Sequence, residues 1–268
     1  MENFKINTVK SGGTVTEFLT FGSGNTPFVM LPGISLISVI ASAEAVAKAY
    51  AGFCNDYTVY LFDHKRPLPK NYTTWQMADD VAEILTQSGI KNACVFGASH
   101  GGMMGLCLAA RHPELVKKLV LGSANLKPDA GCQALMHKWI QLAKERQTAE
   151  LLRDFWINLY PENFIKANQN LLRSITDAGT PEECDDFAVT AAATAEFDFV
   201  SEVQMVKCPV LFTASLDDKI MPPEFSFNLA KKSGWQTLIY QNYGHAAYDM
   251  APDYKKRMLE FFENNTGM

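Results

Sequence analysis

One pentapeptide, Gly97-Ala98-Ser99-His100-Gly101, constrains the fold of this chain more than any other feature. An apolar β-type run, 93–96, precedes it, and residues 102–111 have the pattern of a helix. A sharp strand-to-helix turn strains the serine backbone and pushes its hydroxyl out of the sheet. Glycine suits both ends of the pentapeptide because larger side chains would collide with the turn. An ordinary glycine-containing helix start is the alternative interpretation.

Strands alternate with helices along most of the chain, which predicts an α/β fold with a mostly parallel central sheet. The predicted strands are 4–9, 14–21, 28–31, 57–62, 93–96, 116–121, 210–214 and 237–240, and a turn at 11–13 joins the first two. The predicted helices between and after them are 41–53, 74–88, 102–111, 222–233 and 248–264.

Residues 125–199 differ because they contain no convincing buried strand. Helical patterns dominate there, and prolines at 128, 161 and 181 divide the stretch into three or four predicted helices. We therefore predict a core domain of residues 1–124 and 200–268, with 125–199 inserted as a helical cap.

Composition excludes several classes of partner. A net charge of −5 over 268 residues, with no basic cluster, argues against a nucleic-acid surface. No segment is long and apolar enough to span a membrane, and residues 1–6 lack the apolar run of a signal peptide. Six scattered cysteines show neither C-x-x-C pairing nor zinc spacing. We expect a cytoplasmic monomer or homodimer, with reduced thiols and without a metal or organic cofactor.

A serine hydroxyl is a weak nucleophile and needs a general base, which in turn needs an orienting acid. Of the five histidines, His245 is the candidate base because it follows the strand 237–240 after a short polar loop. The candidate acids, Asp217 and Asp218, both follow the strand 210–214. Only one of two adjacent side chains can face the imidazole, and either can instead end the loop or cap a helix.

Stabilising the developing oxyanion requires two backbone N–H groups. His100 offers one, because its N–H lies at a helix N-terminus. The second must come from the loop after the strand 28–31, which begins Pro32-Gly33. Proline has no N–H and glycine allows a close approach of the backbone, so Ile34 is the predicted second donor.

With these residues in place, the sequence resembles the α/β-hydrolase fold family, particularly its small cap-bearing members. The matching motifs span nearly the whole chain: Leu31-Pro32-Gly33, Gly97–Gly101 followed by Gly102, His112-Pro113, Leu115–Leu121, Cys208–Leu211 and Gly244-His245. The family's spacing from acid to proline favours Asp218 over Asp217, since Asp218 lies four residues before Pro222.

Two segments depart from the family pattern. Family members commonly have His-Gly where this chain has Pro32-Gly33, which affects the shape of the oxyanion loop. A glycine-rich arginine loop often follows the residue equivalent to Asp63, whereas this chain has His64-Lys65-Arg66-Pro67-Leu68-Pro69. Neither departure removes a catalytic side chain, although the second can reshape the pocket.

The sequence therefore predicts a serine hydrolase that cleaves a small, fairly apolar carboxylic ester through a Ser99-His245-Asp218 triad and an acyl-enzyme. Hydrolysis of an amide, lactone, thioester or carbon–carbon bond, or acyl transfer, uses the same triad and stays open. A non-catalytic small-molecule receptor on the same scaffold is a further alternative. The candidate substrate-pocket residues are Gly33, Met103, Trp139, Phe155 and Trp156, of which the cap aromatics can equally pack the cap's own core.

Overall fold

A computed structural model describes residues 4–11 and 13–264. Gly12, in the predicted turn at 11–13, lies outside the described residues. Eight strands form one sheet: β1 Lys5–Ser11, β2 Thr14–Phe21, β3 Thr26–Leu31, β4 Tyr57–Phe62, β5 Ala93–Ala98, β6 Val116–Gly122, β7 Val210–Ser215 and β8 Gln236–Tyr240. Their spatial order is β1-β2-β4-β3-β5-β6-β7-β8.

The sheet is mostly parallel, as the alternation of strands and helices predicts. Strand β2 is antiparallel to both of its neighbours, β1 and β4. The other neighbouring pairs are parallel, and they follow the order β4, β3, β5, β6, β7 and β8 across the sheet. Parallel pairing brings the carboxyl ends of these six strands to one edge of the sheet. The loops that carry the predicted site residues all leave from that edge.

Eleven helices occur in the described part of the chain: α1 Ala43–Ala49, α2 Thr74–Gln87, α3 His100–Arg111, α4 Ala130–Lys144, α5 Thr148–Leu159, α6 Glu162–Ala167, α7 Gln169–Arg173, α8 Pro181–Ala195, α9 Glu224–Lys232, α10 Ala247–Met250 and α11 Tyr254–Glu263. Successive strand residues point to opposite faces, so Val29 and Leu31 join one buried cluster while Phe28 and Met30 join another. The first cluster includes α2 and α3, and the second includes α1 and α11.

The segment inserted between β6 and β7 contains five helices, α4–α8, where the sequence predicted three or four. Two divisions come without a proline: residues 145–147 separate α4 from α5, and Asn168 ends α6 and begins α7. We call α4–α8 the helical block. Its buried residues, including Trp139 and Phe187, lie in the same cluster as the α2–α3 face of the sheet. The predicted domain limits at 124/125 and 199/200 stay a prediction.

Two predicted helices are interrupted. The stretch 41–53 is a short α-helix between two 3₁₀ turns, Val39–Ser42 and Ala51–Phe53. The C-terminal stretch breaks between α10 and α11, where Pro252 cannot donate a backbone hydrogen bond. A buried lysine holds the end of α11 in place, since Lys118 Nζ of β6 donates to the carbonyls of Phe261, Phe262 and Asn264.

Among the described residues, no helix combines the length and apolar character needed to cross a membrane. Cys94, Cys107, Cys132 and Cys184 are buried free thiols. Burial raises the pKa of Cys94 to about 11, which keeps its sulfur protonated and apolar at neutral pH.

Candidate active site

Ser99 occupies the sharp turn between β5 and α3 that the pentapeptide predicts. Its backbone has φ 54° and ψ −122°, a conformation that non-glycine residues rarely adopt. The backbone N–H of Ser99 donates a hydrogen bond to the carbonyl of Gly122 on β6 at 2.7 Å, which holds the turn in place. The Ser99 side chain makes no hydrogen bond within the described ranges and is 6% exposed.

Glycines let three pieces of backbone meet around this turn. A Cβ on Gly97 would overlap the carbonyl of Gly101, and a Cβ on Gly101 would overlap the carbonyl of Leu31 at the end of β3. A Cβ on Gly33 would lie 3.2 Å from the Ser99 Cβ. The loop after β3 therefore packs directly on the serine turn, as the predicted oxyanion arrangement requires.

Asp218 and His245 form a buried pair on the loops after β7 and β8. His245 Nδ1 lies 2.8 Å from Asp218 Oδ2, and the two residues are 2% and 4% exposed. The other carboxylate oxygen of Asp218 accepts the backbone N–H groups of Ile220 and Met221 at 2.9 and 2.8 Å. The carboxylate is fixed on both sides, so the orientation of the imidazole is fixed as well.

Asp217 serves a different partner, which resolves the geometric ambiguity between the two aspartates. Its oxygens accept the Ser215 hydroxyl at 2.6 Å and the backbone N–H of Gly244 at 3.0 Å. Burial opposes ionisation of Asp217, but its hydrogen bonds together outweigh burial, the Ser215 hydroxyl foremost, and lower the pKa of the carboxyl. Asp217 thus links the loop after β7 to Gly244, the residue before His245. This role was not predicted from the sequence, where the two adjacent aspartates appeared only as alternative acids.

Two backbone N–H groups near the Ser99 turn have no hydrogen-bond partner among the described residues. Neither the Ile34 N–H nor the His100 N–H donates a hydrogen bond within the part of the chain that the structure describes. His100 is the first residue of α3, where no intrahelical acceptor exists, and Ile34 follows the Gly33 that packs on Ser99. Both predicted oxyanion donors are therefore available to a ligand.

Two neutral histidines lie behind the loop after β3. His100 Nε2 is 3.2 Å from the Thr74 hydroxyl, its ring centroid is 5.6 Å from that of His64, and His64 Nε2 is 3.2 Å from the Gly33 carbonyl. Burial, and secondarily the neighbouring His64, lower the pKa of His100 to about 3. Burial also lowers the pKa of His64. No motif in the sequence pointed to His64, although the unusual segment after Asp63 contains it.

The predicted pocket residues differ in their surroundings. Gly33 is half-buried beside Ser99, whereas Met103 and Trp139 have no exposed surface. The Trp139 Nε1 donates to Asp154 at 2.8 Å, and its ring lies 5.0 Å from that of Phe155. Trp156 packs on Tyr160 at 5.1 Å. These contacts are within the helical block, as the alternative of a packed cap core anticipates.

A cavity of about 850 Å³ lies away from the Asp218–His245 pair, neither of which lines it. It is bounded by the segment 67–75, by α4 and by α8, and its walls include Leu68, Trp75 and Asp186. The helical block instead packs against Gly244, the residue before His245. A Cβ on Gly244, whose φ is 59°, would lie 2.9 Å from the carbonyl of Leu159 at the end of α5.

Within the described ranges, no group of three or more His, Cys, Asp or Glu side chains is arranged to hold a metal ion. At the carboxyl edge of the sheet the described residues thus provide a strained serine, an imidazole paired with a carboxylate, and two backbone N–H groups without acceptors among them. That combination suits nucleophilic attack on a carbonyl carbon.

Comparison with known proteins agrees with the architecture. The family model described as alpha/beta hydrolase fold matches residues 26–252. A protein of Caulobacter sp. (strain K31), provisionally named carbamate hydrolase RutD, is 29% identical over 209 residues, which are 74% of this chain and 77% of that protein.

Solved structures resemble the chain over almost its full length. MGS-M2, an alpha/beta hydrolase enzyme from a Medee basin deep-sea metagenome library, has a TM-score of 0.85 at 18% identity, covering 98% of this chain and 99% of its own. The enol-lactonase from Burkholderia xenovorans LB400 has a TM-score of 0.81 at 19% identity, covering 96% and 100%.

Proposed function

Because the chain belongs to the alpha/beta hydrolase fold family, we propose that it is a serine hydrolase of small, fairly apolar carboxylic esters. The observation that carries the proposal is the buried His245–Asp218 pair at 2.8 Å, on the same sheet edge as the strained Ser99 turn. A carboxylate accepts hydrogen bonds only, so the proton of the pair sits on His245 Nδ1. The other ring nitrogen, Nε2, then carries the lone pair that a general base needs.

In the proposed reaction, Ser99 Oγ attacks the ester carbonyl carbon while His245 Nε2 takes the hydroxyl proton. Asp218 stabilises the resulting imidazolium. The N–H groups of Ile34 and His100 bind the oxygen that becomes negative in the tetrahedral intermediate. Collapse breaks the ester C–O bond, and His245 returns the proton to the leaving alcohol. A water molecule, deprotonated by His245, then attacks the acyl-enzyme, and the acid leaves as Ser99 regains its proton.

The helical block is proposed to cover the substrate as a cap. Support comes from the contact between Gly244 and the carbonyl of Leu159, which places the end of α5 against the turn that carries His245. Because Ser99, Asp218 and His245 are almost fully buried, the proposed reaction requires a movement that admits the substrate, and the helical block is the segment proposed to move.

The decisive experiment measures hydrolysis of p-nitrophenyl esters of increasing acyl length by the wild type, Ser99→Ala and His245→Ala. We expect steady-state turnover by the wild type and none above background by either variant. His112→Ala, which alters a histidine paired with Asp79 on the surface, is the matched control and should retain wild-type kcat. Turnover that survives in Ser99→Ala would refute the proposal.

The adjacent aspartates provide a second matched pair. Loss of the orienting acid in a serine triad costs on the order of 10⁴ in kcat, so Asp218→Asn should be almost inactive. Asp217→Asn keeps a carbonyl oxygen and should lose much less, because Asp217 contacts the backbone of Gly244 and not the imidazole. Equal losses in the two variants would contradict the assignment of Asp218.

Carbamate hydrolysis is the second candidate, favoured by the provisional name of the Caulobacter relative. The same groups can attack a carbamate carbonyl, whose carbon is also bonded to an electron-donating nitrogen. Steady-state kcat/KM for p-nitrophenyl butyrate and p-nitrophenyl N-propylcarbamate, which share a leaving group, separates the two. A higher value for the ester supports the leading proposal, and a higher value for the carbamate supports this second one.

A further inference from the structure

We propose that His64 is a positioning residue that aims the backbone N–H of Ile34 at the oxyanion, through its hydrogen bond to the carbonyl of Gly33. The inference rests on the proposed function, in which Ile34 supplies one of the two oxyanion donors. His64 lies on the loop after β4, within the segment where the sequence departs from its family.

The connection is made by one peptide unit. The Gly33 carbonyl and the Ile34 N–H belong to the same planar group and point in opposite directions across it. A hydrogen bond that fixes the carbonyl therefore fixes the direction of the N–H. His64 Nε2 lies 3.2 Å from this carbonyl oxygen, and since an oxygen of that kind only accepts, Nε2 must carry the proton.

His64 is itself held rigidly. It is 5% exposed, and its own backbone N–H donates to Asp63 Oδ1 at 2.8 Å. Its ring lies 5.6 Å from the ring of His100, the residue that supplies the other free N–H. The peptide that it holds has few other constraints, since Pro32 lacks an N–H and the Ile34 N–H makes no hydrogen bond to any described residue.

Loss of this contact should affect the transition state more than the bound substrate. The ground-state carbonyl oxygen is nearly neutral, while the oxygen of the tetrahedral intermediate is charged and needs a well-aimed donor. Removing an oxyanion donor outright costs about 10²–10³ in kcat, so misdirecting one is expected to cost less, about 10–10².

The test compares His64→Met with His64→Gln. These two side chains have equal length, but only glutamine places an N–H near the position of the imidazole Nε2. With the best p-nitrophenyl ester, His64→Met should lower kcat by about 10–10² and change KM by less than about threefold, and His64→Gln should recover most of the loss. If His64→Met does not fold, His64→Asn replaces it, because its amide ends where ring Nδ1 stood.

A second readout does not depend on turnover. In ¹³C,¹⁵N-labelled protein, the Gly33 carbonyl and Ile34 amide resonances should shift in the donor-lacking variant, return towards wild type in His64→Gln and stay unchanged in His112→Gln. Unshifted resonances, equal losses in the methionine and glutamine variants, or a loss carried by KM would each overturn the positioning role. Absence of Ser99-dependent turnover in the wild type would instead refute the proposed function, and the resonances would still decide whether His64 holds this peptide.

Discussion

Stability should fall on acidification because His100 is buried as a neutral ring. Its side chain is fully buried, its Nε2 hydrogen bonds with the Thr74 hydroxyl, and its Nδ1 has no partner among the described residues. The Thr74 hydroxyl donates to the carbonyl of Ala193, so it accepts the proton of Nε2. Protonation would place a second N–H at the buried Nδ1, where no described residue offers an acceptor.

The magnitude follows from the difference in pKa between the two states. The pKa of His100 is about 3 in the folded protein, against 6.5 for an unperturbed histidine. Between these values the unfolded state binds more protons, so the free energy of unfolding decreases as the pH falls from about 6.5 towards 3. At pH 5 this linkage amounts to about 2 kcal/mol, and at pH 7.5 it is close to zero.

The assay is urea unfolding of the wild type and His100→Gln at pH 7.5 and pH 5, followed by tryptophan fluorescence. Glutamine keeps an N–H donor for Thr74 but does not titrate, and both proteins retain His64. The wild type should therefore lose about 2 kcal/mol more than the variant between the two pH values. An equal loss in both proteins, or a larger loss in the variant, would refute the reasoning from burial.

Three further substitutions have definite expected outcomes. Lys118→Met removes a buried charged donor from three carbonyls at the end of α11, so urea unfolding should show a loss of about 2 kcal/mol, and an unchanged midpoint would contradict it. Gly244→Ala forces a side chain into φ 59° and towards the Leu159 carbonyl, so the free energy of unfolding should fall by about 1–2 kcal/mol and kcat/KM should fall with it. Gly101→Ala would overlap a backbone carbonyl of β3 and should abolish soluble expression, whereas Gly52→Ala, which meets nothing within 4 Å, should express like the wild type.

The sheet and the serine turn were predictable because their signals are local. The apolar runs that form β4 and β5 have the length of buried strands, and a threonine stands where α2 begins, since the Thr73 side chain caps that helix. The turn at Ser99 is predicted by glycines, because side chains at those positions would collide with neighbouring backbone. The order of residues along the chain also predicted an acid after β7 and a histidine after β8, and Asp218 and His245 lie in those two loops.

Other features depend on contacts between distant segments. The sequence alone did not assign Asp217 to the Gly244 N–H, because that bond joins residues 27 positions apart through the pairing of β7 and β8. The bond from His64 to Gly33 spans 31 positions and depends on β3 lying beside β4. Helix ends were also harder to predict, since α6 ends at Asn168, which has neither a proline nor a glycine beside it.

Residues of the helical block and of the α2–α3 face of the sheet form one continuous buried cluster, in which Trp139, Phe187 and Leu106 all take part. The helical block therefore shares its buried core with the rest of the protein. Excising residues 125–199 would open the apolar flank of α2 and α3 to water, and grafting a foreign block would require its underside to match that flank. Replacing the block should therefore require compensating substitutions in α2 and α3, whereas single substitutions inside it should disturb the shared cluster less.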